Sequence, residues 1–173
     1  MVIVQTERLF LRHVHILDHE PMYRIFGDAE VMRFGDGVQT KDAVQRWLMT
    51  CLEQYYRQWG FGPYAVVKRS SREVIGYCGL FFFPDVGCQP ELELGYRLAR
   101  AHWGYGYATE AALAVRDFAF QTLCVKRLIS MIDPHNVASI RVAKKLGMQY
   151  EREVMFDGYT HPDHVYAIHG VSI

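Results

Sequence analysis

The stretch Trp103-Gly104-Tyr105-Gly106-Tyr107-Ala108-Thr109-Glu110-Ala111 has the residue types and spacing of a phosphate cradle. An alternating strand pattern runs into two closely spaced glycines and straight on into an amphipathic helix. Glycine lets the backbone approach a pyrophosphate with no Cβ in the way, and the first N–H groups of the helix, at the positive end of its dipole, supply the attraction. A dinucleotide fingerprint needs a third glycine where Thr109 stands, and no Lys-Ser or Lys-Thr pair follows as in a triphosphate loop. The expected ligand therefore carries phosphate, and both common nucleotide readings weaken.

Downstream, Asn136-Val137-Ala138-Ser139-Ile140-Arg141-Val142-Ala143-Lys144-Lys145-Leu146-Gly147-Met148 adds a second block. With it the chain resembles the GNAT acetyltransferases over nearly its whole length. Thr6-Glu7-Arg8-Leu9 and Leu11-Arg12 resemble the opening of the branch that includes the RimJ/RimL-like ribosomal-protein alanine N-acetyltransferases. Trp59 to Val66, Val74 to Leu80 and Glu91 to Tyr96 agree in order. The resemblance implies acetyl-CoA as cosubstrate, with its pantetheine arm beside the backbone of Tyr96, Arg97 and Leu98. It places the pyrophosphate on the N–H groups from Trp103 through Gly104, Tyr105, Gly106, Tyr107 and Ala108 to Thr109. Asn136 would reach the pantetheine amide, and Ser139 or Lys144 the nucleotide end. The implied acceptor is a protein N-terminal α-amine, with small amines close behind. Two positions depart from the family pattern: Ala101 replaces an Arg or Gln three residues before the first loop glycine, and Ala143 replaces a tyrosine seven residues after the helix Asn.

Acetyl transfer needs a held thioester, a neutral amine, a stabilised oxyanion and a proton for the leaving thiolate. Amines of pKa about 8 (α-amino) to about 10.4 (lysine) are mostly protonated at neutral pH. Glu93 is the candidate base, since alternation places it on one face of a strand with Glu91 and Arg97. Its other reading is a structural carboxylate paired with a basic residue. The acid is open among Tyr96, Tyr105, Tyr107 and solvent. The resemblance implies that a main-chain N–H near Gly95 or Tyr96 points at the thioester oxygen. No cysteine lies in either cofactor block, so direct attack in a ternary complex is expected. The alternative from another class is a CoA-binding sensor or partner module without turnover. His161-x-x-His164 with Asp163 lacks a third ligand at diagnostic spacing, so no metal is expected. Phe81-Phe82-Phe83 reads as strand core rather than a base-stacking platform.

These residues must be positioned by elements legible in the pattern. Arg8 to Val14 reads as a first strand, followed by a helix capped by Asp18, with Pro21 in its first turn and an end near Gly27. After Thr40, a second cap, the stripe Val44, Trp47, Leu48, Cys51, Leu52, Tyr55 marks a core-facing helix. Pro63 to Lys68 and Glu73 to Phe83 form a hairpin, Leu92 to Leu98 the next strand, and Gly104 to about Gln121 a helix with Ala108, Ala112, Val115 and Ala119 on one face. Lys126 to Ile132 is a strand, Asn136 to Leu146 a helix stopped by Gly147, and 149 to 155 and 163 to 169 are closing strands. The order β-α-α-β-β-β-α-β-α-β-β describes a mixed α/β single domain over 1–173. The resemblance implies a mostly antiparallel central sheet with helices on both faces.

The chain has 173 residues, 50% hydrophobic and 22% charged, with a formal net charge of zero. That balance argues against nucleic acid or an acidic membrane as the main partner. The four cysteines have no Cys-x-x-Cys spacing and read as free thiols; the start has no leader pattern, and no segment is long and apolar enough to span a bilayer. Cytoplasmic localisation follows as the expectation. Exposed strand edges leave a homodimer open.

Overall fold

A computed structural model describes residues 2–170. Eight strands form one sheet: β1 (Val2–Gln5), β2 (Leu9–His13), β3 (Pro63–Lys68), β4 (Val74–Phe83), β5 (Glu91–Leu98), β6 (Arg127–Ile132), β7 (Gln149–Val154) and β8 (Asp163–His169). Their spatial order is β1-β2-β3-β4-β5-β6-β8-β7. Every neighbouring pair is antiparallel except β5 and β6, which are parallel and share the single register pair Glu93 and Ile129. Beyond that pair the two strands part, and the opening becomes the floor of a cleft.

Helices cover both faces, as expected. On one side lie α1 (His19–Phe26), α2 (Ala29–Met32) and α3 (Lys41–Thr50), with Met22, Ile25, Val44 and Leu48 buried against Ala65, Val67 and Tyr77. On the other lie α4 (Tyr107–Gln121) and α5 (Val137–Lys145), with Ala111, Ala112, Val115, Ala119 and Ala143 against Tyr64, Val66, Leu94 and Leu98. β3 is buried on both faces, which its run Pro63-Tyr64-Ala65-Val66-Val67 achieves with apolar residues throughout. Small alanines on α4 let that helix lie close to the sheet.

Four expectations need correction. β1 precedes the first expected strand and makes the sheet eight-stranded; four residues are too few for a pattern to declare itself. The short α2 follows Asp28, whose carboxylate accepts from Glu30 N–H and Val31 N–H. Asp18 does not cap α1 with its side chain: it is buried, bound by Arg12 at 2.7 Å through both carboxylate oxygens, and accepts from His15 N–H. The helix begun at Thr40 changes pitch, running from α3 into nine residues of π-helix (Cys51–Trp59). The wider turn, closed by i→i+5 bonds, brings Tyr56 rather than Tyr55 under Cys51. Tyr56 donates to Pro63 O and accepts from Val14 N–H, while Tyr55 turns to the cleft.

Candidate active site

The parting of β5 and β6 opens into a cleft of about 1060 Å³ reaching from the α2–α3 side of the sheet through to α4 and α5. Backbone geometry along β5 sets its chemistry. Ala99 N–H donates to Ile75 O on the β4 side, whereas Leu98 O accepts from Trp103 Nε1 at 2.8 Å and Leu94 O from Ser130 Oγ at 2.7 Å. By the two-residue repeat, the peptide groups of Leu94, Tyr96 and Leu98 face away from β4 and into the parting. Of the two candidate oxyanion donors, the N–H of Tyr96 has the required direction and that of Gly95 is turned to β4.

Side chains alternate the other way. Glu93, Gly95 and Arg97 face α2 and α3, while Tyr96 faces α5, where its hydroxyl donates to Ser139 Oγ at 3.2 Å. Glu93 has no basic partner among the described residues. Its Oε1 accepts from Met131 N–H at 3.1 Å, where β6, paired to β8 on its other edge, has parted from β5. Burial raises the Glu93 carboxyl to about 7, against the lowering effects of the Met131 bond and Arg97; Asp163 adds to the rise. The paired, purely structural reading thus fits Glu91 instead, which is buried and held by Arg127 at 2.9 Å and Arg152 at 3.2 Å at the closed end of the parting. Burial likewise pushes the Tyr96 hydroxyl up to about 12.

The glycine loop is built as its residue types demand. Gly104 and Gly106 have φ of +82° and +79°, the left-handed region that favours glycine. Gly106 is the N-cap of the 15-residue α4, and no side chain caps that end. The free N–H groups at the start of α4 therefore open at the cleft, which Gly106, Tyr107, Ala108 and Thr109 line. Sequence reasoning missed the brace behind this loop. Glu110 accepts from Thr6 Oγ1 at 2.6 Å, Arg8 N–H at 3.0 Å and Arg8 Nε at 2.6 Å; Arg8 Nη1 reaches Tyr105 O, and its guanidinium covers the Tyr107 ring. Thr6-Glu7-Arg8-Leu9 was visible as a block, but its partner lies about a hundred residues along the chain.

Tyr96, Arg97, Leu98, Trp103, Gly104, Gly106, Tyr107, Ala108, Thr109, Asn136 and Ser139 all line the cleft. Tyr105 and Lys144 do not. Tyr105 is 64% exposed and stacks on the outer side of Tyr107, and Lys144 is exposed on the outer face of α5, where Lys145 borders the cleft instead. The Asn136 Oδ1 caps α5 by accepting from Ser139 N–H at 3.1 Å.

The family model described as "Acetyltransferase (GNAT) domain" matches residues 8–149. The Bacillus subtilis protein YkkB is 33% identical over 86% of this chain and 86% of its own. The chain belongs to the GNAT acetyltransferase family. It is an N-acetyltransferase. A solved acetyltransferase from Agrobacterium tumefaciens superposes with a TM-score of 0.82 at 29% identity, covering 98% of this chain and 94% of that one. The RimL ribosomal L7/L12 α-N-protein acetyltransferase in complex with coenzyme A shares the fold, with a TM-score of 0.80 at 15% identity over 98% of both chains. In this acetyltransferase His161 and His164 separate: His161 approaches Asp133 at 3.4 Å, and His164 approaches Glu153 at 3.6 Å. Asp133, which lines the cleft, gathers with His135 and His161 so that their ligand atoms lie within 4.8 Å of one another, a grouping invisible at the spacing first considered.

Proposed function

We propose that the protein transfers the acetyl group of acetyl-CoA to a primary amine by direct attack in a ternary complex. The observation that carries this reading is one continuous cleft joining the uncapped start of α4 to the Glu93 carboxylate through the strand parting. The pyrophosphate lies on the N–H groups at Gly106 to Thr109, supported by the dipole of α4. Pantetheine runs along the outward peptide groups of Tyr96 and Leu98, and Asn136 offers its amide nitrogen. The thioester oxygen meets Tyr96 N–H, and Glu93 takes the amine proton, directly or through water.

Tyr96 is the acid for the departing thiolate. Its hydroxyl meets Ser139, one helical turn before Ala143, so it reaches the neighbourhood in which the family's tyrosine is missing. The acceptor side supports a small or terminal amine, and the four free thiols support a cytoplasmic setting.

The deciding experiment follows thiol release from acetyl-CoA across an amine panel, with radiolabelled acetyl-CoA incubated alone as companion. Steady release with amine and no label on the protein is expected. Label trapped on the protein overturns direct attack, and tight binding with no release for any amine favours the sensor alternative.

A second expectation concerns the brace. Glu110→Gln keeps the hydrogen bonds to Thr6 and Arg8 N–H but loses the charge facing the Arg8 guanidinium. At a half-exposed pair the expected loss of acetyl-CoA affinity is modest, roughly threefold to tenfold, with kcat nearly unchanged at saturation. Calorimetry and saturation kinetics separate the two quantities.

A further inference from the structure

Arg97 stands apart from the other arginines. Among the described residues, each arginine that is not exposed pairs with a carboxylate: Arg12 with Asp18, Arg116 with Asp117, Arg127 with Glu91 and Glu151, and Arg152 with Glu91 and Glu151. Arg97 has none. Its one side-chain hydrogen bond runs from Nη1 to the Tyr77 hydroxyl at 2.9 Å. Nη2 reaches the loop after α2, where a Cβ on Gly35 would sit 2.2 Å away, so glycine is what lets the guanidinium lie there. The group borders the cleft on the same side as Glu93. A partly buried guanidinium with no carboxylate in hydrogen-bond reach is costly, and its remaining donors suit a carboxylate in fork geometry.

The residue between the two charges is Gly95. A Cβ there would lie 3.2 Å from the Phe81 ring and 3.6 Å from Glu93 Oε2, so glycine is what lets the ring and the carboxylate lie close over the strand at the cleft wall. Along this stretch of cleft wall a carboxylate stands on one side of Gly95 and a guanidinium on the other. The strand rise separates the Cα atoms of Glu93 and Arg97 by about 13 Å. A small zwitterion with a hydrogen bond at each end spans that gap once the two long side chains lean inward. Tyr55 and Phe81, edge to face at 6.0 Å, and Trp47 wall the space alongside with apolar surface.

We infer that the acceptor is a free amino acid with an apolar or aromatic side chain, its carboxylate held by Arg97 and its amine presented toward Glu93. This rests on the acetyl-transfer reading above and narrows it. A polyamine would set a second cation against Arg97, and a protein N-terminus has no α-carboxylate to pair with it.

The test compares free amino acids with their carboxamides and decarboxylated amines, and with peptides and polyamines, by thiol release on wild type and Arg97→Met. Acetyl-CoA binding is measured separately by calorimetry. For the best amino acid, kcat/KM is expected to exceed that of its carboxamide by roughly 10- to 100-fold, the scale of a charge-assisted hydrogen bond. In Arg97→Met the gap should fall below about threefold, chiefly through KM, with acetyl-CoA affinity kept. If that variant does not fold, the wild-type comparison carries the test. Carboxamides, peptides or polyamines used as well as the acids overturn the inference while leaving the transferase reading intact. So does a panel in which no carboxylate-bearing amine is turned over. Absence of acetyl-CoA binding overturns the transferase reading itself.

Discussion

Glu93→Gln is expected to lower kcat/KM by roughly 100-fold or more, the usual scale of a positioned general base, while acetyl-CoA affinity stays within about twofold. Wild-type activity should rise with pH through about 7, because burial holds the Glu93 proton until then and only the deprotonated form accepts one from the amine. In the variant that limb disappears. The same substitution should stabilise the fold above pH 7. A carboxyl raised from its ordinary 4.5 binds its proton more tightly when folded, so native stability falls as pH climbs from about 4.5 through about 7, and the full cost remains above. At about 1.4 kcal/mol per pH unit the gain is bounded near 3 kcal/mol, and water in the cleft reduces it. The glutamine carbonyl still accepts from Met131 N–H, while its NH2 group brings two donors to the place of Oε2, and hydrating them in the cleft keeps the gain below that bound. Denaturant unfolding at pH 8 and pH 4 reads the effect: the difference between variant and wild type should be clear at pH 8 and small at pH 4. An unchanged rate returns the base role to water, and equal stability differences at both pH values remove the buried-carboxylate account.

Glu93 is also a measure of what the sequence makes legible. Alternation along Glu91 to Leu98 assigns faces correctly, because a period of two has only two outcomes in a strand packed on both sides. It does not say which carboxylate is paired. Glu91 and Glu93 share a face, yet one is clamped by Arg127 from β6 and Arg152 from the more distant β7, and the other borders the opening where β6 departs. That difference arises from strand order, which no local window contains. The glycine loop was legible for the opposite reason, since its chemistry is local: two left-handed backbone positions followed by a helix start. The brace from Thr6 and Arg8 to Glu110 is non-local and was missed, although both of its ends were noticed.

Boundaries failed where a local rule had a tertiary competitor. Asp18 has the residue type of a helix cap, but Arg12 from the adjoining strand takes its carboxylate. The apolar stripe from Val44 to Tyr55 obeys a 3.6-residue period on paper. The π-helical turn after Cys51 shifts the following positions, so Tyr56 serves the core and Tyr55 the cleft. Tyr105 and Lys144 lay inside motif blocks, and direction alone took them outside the lining. Sequence blocks record proximity along the chain, whereas a cleft selects by direction.

The largest loss of cosubstrate binding is expected from Gly106→Val. With φ at +79° the position is left-handed, and a β-branched residue there costs on the order of 1–3 kcal/mol or forces the peptide to rotate. Space is not the obstacle, since a Cβ would meet only Arg8 Nη2 at 3.6 Å. The harm is directional: relaxing φ turns the N–H groups that begin α4 away from the cleft and presses the valine methyls toward the Arg8 brace. Acetyl-CoA affinity should fall at least 100-fold by calorimetry. Gly60→Val supplies the control, because Gly60 is also left-handed at φ +72° with no atom within 4 Å of a new Cβ, and it ends the π-helix away from the loop. It should show a comparable stability loss with affinity kept. Affinity lost in both variants would mean that general strain is being read. Affinity kept in Gly106→Val would place the pyrophosphate elsewhere and remove the start of α4 from the binding mechanism.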